Sequence, residues 1–127
     1  MTDRRAFSFA LLAAGIPPLQ AAKEYKMTTY TFGILRKGPK WTAESTPETQ
    51  KIQEGHIANI VKMNKDGYLV VAGPLQDGGD MRGLFIFGKG TRDELMAMTN
   101  RDPAVKAGRL VVDLMNWYAA AGLKVDQ

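Results

Sequence analysis

From Met27 onward the apolar positions switch between a two-residue and a helical period, and each switch falls at turn-forming residues. Thr28 to Leu35 reads as a strand with Tyr30, Phe32 and Ile34 on one face. Lys37 to Ser45 is a loop carrying Gly38, Pro39 and an exposed-looking Trp41. Thr46, followed by Pro47, opens a helix that runs to Asp66 and stops at Gly67. Ile52, His56, Ile60 and Met63 form its apolar line, so His56 is expected to point inward. Tyr68 to Leu75 is a second strand, Asp77-Gly78-Gly79-Asp80 a hairpin turn, and Gly83 to Gly88 a third strand. Thr91-Arg92-Asp93-Glu94 is a capping box for a second helix that ends near Asn100. Asp102-Pro103 breaks it, because the residue before proline disfavours helical backbone. A short turn, Ala104 to Ala107, then leads into a last strand from Arg109 to Tyr118.

This order predicts an α+β fold, a ferredoxin-like β-α-β-β-α-β unit with an antiparallel sheet. Two helices cover only one face of four strands. Yet Leu84-Phe85-Ile86-Phe87 is apolar at every position, and so is the run from Tyr68 to Ala72. The economical cover for the second face is the same face of another copy, so a homodimer through the sheet is expected.

Residues 1–22 read as an export signal preceding the domain. Arg4 and Arg5 form a charged start, Ala6 to Ile16 an apolar stretch too short to cross a bilayer, and Ala21-Ala22 a small-residue cleavage zone. Arg4-Arg5-Ala6-Phe7 is twin-arginine-like, which points to an exported, periplasmic protein. Translation from Met27 would instead give a cytoplasmic one. The expected organisation is thus a signal at 1–22, a domain at 27–119 and a tail at 120–127.

Composition narrows the chemistry. The net charge is +4, but the lysines and arginines are scattered and do not interleave with aromatic residues, so no nucleic-acid partner is expected. No apolar run is long enough for a stable membrane span. With no cysteine, thiolate nucleophiles, cysteine-bound zinc and disulfides are excluded. With one histidine, a multi-histidine metal site cannot form in one subunit, and no metal is expected. Phosphate-binding glycine loops and dinucleotide fingerprints are absent, so no cofactor is expected either. His56 is left as the side chain suited to proton transfer near neutral pH, against the plain alternative of a hydrogen-bonded core histidine.

With these residues in place, the chain resembles the YCII-related domain family over about residues 28–119. The resemblance rests on Gly55-His56 in the first helix, Ala72-Gly73-Pro74-Leu75 at the end of the second strand, and Asp80 to Gly83 with Arg82 in the hairpin. It continues through Asp102-Pro103-Ala104-Val105-Lys106-Ala107-Gly108-Arg109 and closes at Trp117. It implies a dimeric α/β-barrel fold and an acid–base site made of a helix histidine and an aspartate, matched here by His56 and Asp102. A carboxylate on one ring nitrogen would fix the tautomer and leave the other nitrogen to act. Asp102 has the alternative of capping the Asp-Pro turn, and the two roles are compatible.

Gly73, Pro74 and Leu75 are candidate pocket walls, and Arg82 and Arg109 candidate contacts to an acidic ligand. Trp117 and Tyr118 suit core or dimer contacts, and Met96 and Met98 helix packing. The leading functional expectation is a cofactor-independent enzyme, isomerase- or lyase-like, acting on a small organic molecule through His56 and Asp102. The alternative is a non-catalytic small-molecule-binding or accessory dimer module.

Overall fold

The computed structural model describes residues 26–120 and 122–123. The expected export signal at 1–22 and most of the expected tail lie outside the described residues. Packing separates two compact units: Thr29–Trp117, which contains the site, and a second that takes in the strand ends 26–28 and 118–120 with 122–123.

The elements are β1 (Met27–Lys37), α1 (Pro47–Lys65), β2 (Leu69–Pro74), β3 (Met81–Phe87), α2 (Arg92–Asn100), α3 (Pro103–Lys106) and β4 (Leu110–Ala120). The four strands form one sheet in the order β2-β3-β1-β4, as a ferredoxin-like fold requires. Both long helices start as the sequence signals demand. Thr46 accepts from the Thr49 amide with Pro47 at the first helical position, and Thr91 and Glu94 close a reciprocal capping box. The expected turn at 104–107 is instead one helical turn from Pro103, and β4 runs two residues past Tyr118.

Register fixes the faces of the sheet. Leu35, Phe85, Phe87 and Leu69 point to the helices and pack with Met63 and Leu95 into one core. Phe32 opposite Ile86 and Ile34 opposite Leu84 point the other way. On that second face Trp117 packs edge-on to Phe32 and tilted to Tyr30, with ring centroids 5.8 and 6.1 Å apart. No helix among the described residues covers it, and Val71, Val111, Met115 and Trp117 are exposed. At its rim Arg36 donates to Asp113 (2.9 Å) and Asp80 (3.3 Å), and those two carboxylates, Asp113 first, raise its pKa.

β2 lies at the edge of the sheet, and Val71, exposed within one subunit, is on the face expected to meet a second copy. One expectation about packing needs correction. Met96 is 47% exposed on the outer side of α2, while Met98 packs on the core. Helix periodicity alone does not separate those two positions.

Candidate functional site

The site begins with a missing side chain. A Cβ at Gly55 would lie 2.6 Å from Cγ of Pro103, so a glycine is what lets the middle of α1 approach the Asp102-Pro103 turn. One residue further on, Nδ1 of His56 lies 2.6 Å from Oδ2 of Asp102. The other carboxylate oxygen, Oδ1, accepts the Ala104 amide at 2.8 Å and caps α3. Asp102 thus makes both contacts considered for it, to the imidazole and to the turn, one on each oxygen. Asp102 is 1% exposed and His56 8%.

A carboxylate accepts, so the ring nitrogen facing it donates: in the neutral ring this puts the proton on Nδ1 and the lone pair on Nε2. The His56 ring stacks on Phe85, with centroids 6.5 Å apart and 23° between planes. Among the described residues, the one fully buried side-chain nitrogen or oxygen without a hydrogen-bond partner is Nη2 of Arg101. Nε2 of His56 has no partner there either, so it is open to the cavity that His56 lines.

That cavity, about 570 Å³, lies between α1 and the helix-facing side of the sheet. Its walls are His56, Ile57 and Ile60 of α1, Ala72, Gly73 and Pro74 of β2, and Arg82 and Phe85 of β3. The segment Trp41-Thr42-Ala43 and the pair Arg109-Leu110 close it. Of the residues expected to surround a ligand, Gly73, Pro74, Arg82 and Arg109 line it beside His56. Leu75 is not among the lining residues: its amide donates to the Arg82 carbonyl at 3.0 Å and extends the β2–β3 hairpin.

The two arginines differ. Arg109 donates through both terminal nitrogens to Thr42, to its carbonyl (3.1 Å) and its hydroxyl (3.3 Å), so it fastens the loop wall. Arg82 makes one hydrogen bond among the described residues, from Nη1 to the Gly79 carbonyl at 3.0 Å.

The chain was compared with known proteins. No protein-family model matches it, and no curated protein does. Among solved structures, it is similar to 5-chloro-2-hydroxyhydroquinone dehydrochlorinase from Burkholderia phenoliruptrix AC1100, in complex with 2,5-dihydroxybenzoquinone. The two share 24% sequence identity over 68% of this chain and 92% of the other, with a TM-score of 0.50. This likeness supports the fold.

The sequence reading missed one wall of the site. Trp41 is half-buried and lines the cavity rather than facing solvent, with Lys37 Nζ 4.4 Å and Arg82 Cζ 5.1 Å from its ring centroid. The loop is placed by distant partners: the amides of Gly38 and Lys40 donate to the carbonyls of Arg109 and Gly108, both at 2.8 Å. A Cβ at Gly38 would collide with the Gly108 carbonyl, so this contact too depends on a glycine. Among the described residues no three His, Asp or Glu side chains gather to hold a metal ion.

A second cavity, about 580 Å³, lies near the Phe87 end of β3 and is lined by Thr29, Thr31, Lys89 and Arg92 among others. Its described lining residues include no acid–base pair. Arg92 there is bonded to the Leu114 carbonyl at 2.7 Å.

Proposed function

We propose that this chain is a cofactor-independent enzyme of the YCII-related type, in which His56 and Asp102 transfer protons to and from a small organic molecule. The observation that carries the reading is the division of labour on one imidazole: Nδ1 is held by a buried carboxylate while Nε2 opens onto a cavity. In this reaction Nε2 removes a proton from the substrate, and Asp102 stabilises the resulting imidazolium and keeps the ring in place. The imidazolium returns the proton to another atom in an isomerisation. In an elimination, the substrate's electron pair expels a leaving group and the proton passes to that group or to solvent. The similar structure supports the second course, since a dehydrochlorinase removes hydrogen chloride from its substrate.

Chloride release from 5-chloro-2-hydroxyhydroquinone, followed together with solvent-deuterium uptake by a panel of related quinols and lactones, tests this. Turnover by the parent and a loss of at least about a hundredfold in His56→Gln are expected, in line with the contribution of a positioned general base. Equal rates for the two proteins would sink the reading. Binding of these compounds without any turnover would favour the accessory-module alternative.

The same proposal includes a homodimer joined through the open sheet face. Its support is the exposed apolar set Val71, Val111, Met115 and Trp117 on a face that no helix among the described residues covers. Light scattering of the protein is expected to give twice the monomer mass at micromolar concentration, and Val111→Lys to shift it to monomer. A parent protein that is monomeric at that concentration would refute the dimer. Export to the periplasm remains part of the proposal on the Arg4-Arg5-Ala6-Phe7 pattern alone.

A further inference from the structure

We infer that the cavity beside His56 selects a planar ring bearing a negative charge, with Arg82 as its anion anchor and Trp41 as the wall that positions that anchor. This rests on the reading of the cavity as a small-molecule site and goes further, to the class of molecule it takes.

The charges around the cavity are unbalanced. Among the described residues, its lining contains two arginines and no aspartate or glutamate. Asp102, the carboxylate behind His56, has both oxygens committed, one to the imidazole and one to the Ala104 amide. The cavity therefore has a positive wall without a compensating acid, and a negatively charged ligand relieves that imbalance.

The two arginines are not equivalent in this role. Arg109 has both terminal nitrogens on Thr42 and serves the loop. A guanidinium has five N–H donors, and Arg82 spends one of them on the Gly79 carbonyl. Its plane is nevertheless held: the Trp41 ring stands 5.1 Å from Cζ, a cation–π distance, and Lys37 approaches the same ring at 4.4 Å. An anchor that is pre-positioned but mostly unspent loses little entropy when it binds a carboxylate or phenolate. Flat shape follows from the other walls. The cavity is bounded by the Trp41 indole and by Phe85, which stacks on His56, so a planar ring fits between aromatic surfaces while its reacting edge meets Nε2.

The test uses a matched pair, 2,5-dihydroxybenzoate and its neutral amide, 2,5-dihydroxybenzamide, titrated into the full chain and into Arg82→Gln. Nitrogen–proton spectra contain two indole signals, Trp41 in the cavity wall and Trp117 on the opposite sheet face, so the second is an internal control. In the parent, the acid is expected to bind at least tenfold more tightly than the amide and to shift the Trp41 and His56 signals, leaving Trp117 unmoved. Arg82→Gln is expected to bring the acid down to the affinity of the amide while changing the amide less than twofold. Unchanged His56 and Trp117 signals in the free variant show that it is folded. Equal affinity of acid and amide in the parent, or a preference that survives Arg82→Gln, overturns the inference. Failure of both compounds to shift Trp41 overturns it too. A cavity that binds both compounds equally with a shift at His56 would leave the proton-transfer reading standing, since that reading falls only on the His56→Gln comparison.

Discussion

Replacing Asp102 with alanine is expected to destabilise the fold by about 3 kcal/mol, more than a hundredfold in the folding equilibrium, and to abolish any turnover. Two losses add at one buried position. Removing the cap of α3 costs about 1 kcal/mol, and leaving the imidazole N–H without a partner in the interior costs about 1–3 kcal/mol. Asp102→Asn is the instructive companion. Asparagine has one acceptor oxygen where the aspartate uses two, so either the Ala104 amide or His56 loses its partner. If the cap is kept, the amide NH2 faces the ring and drives the proton from Nδ1 to Nε2, which removes the base from the cavity. Urea denaturation measures the stabilities, and nitrogen-15 shifts of the single histidine read the tautomer. An Asp102→Ala protein within 1 kcal/mol of the parent would show that neither bond matters to the fold.

Gly55→Ala is expected to lower stability by about 2 kcal/mol, although the same change at an unobstructed helix position raises it by about 1 kcal/mol. The sign is decided by Pro103. The new Cβ lands 2.6 Å from a ring carbon that cannot rotate away, and overpacking of this kind costs about 1–3 kcal/mol. Relief requires α1 to move off the Asp102-Pro103 turn, which stretches the contact from His56 to Asp102. The prediction is therefore double: a lower urea midpoint and a displaced His56 signal. A gain in stability would mean that the turn yields freely.

Much of this fold is legible in the chain because local signals agree with the global arrangement. The capping residues Thr46 and Thr91, the Asp77–Asp80 turn and the apolar run around Phe85 each specify an element, and together they specify the order. The line Ile52, His56, Ile60, Met63 also lies where its spacing puts it, with His56 and Met63 buried. What escaped the sequence is held by long-range polar contacts. Asn59 is buried in α1 because its amide donates to the Met98 carbonyl and its oxygen accepts from Arg101, two partners some forty residues away. Trp41 looks like a surface residue because no periodicity marks a loop, and its inward position depends on the carbonyls of residues 108 and 109. The meeting of His56 with Asp102 was available only through resemblance, since nothing local relates residues 46 positions apart. Gly55 and Pro103, the pair whose contact permits it, show no such relation when read singly.

The fastening of the 38–45 segment has a consequence for how a molecule enters and leaves. Enzymes that close over a substrate do so with loops that swing on free hinges, and the opening of such loops often limits the rate. Here the segment is tied near its start by two backbone hydrogen bonds and at Thr42 by both arms of Arg109, with Trp41 held between cationic groups. It is a door frame rather than a door. For a molecule bound as proposed above, a fixed frame would leave arrival to diffusion and charge, and departure to the contacts made inside, rather than to loop opening.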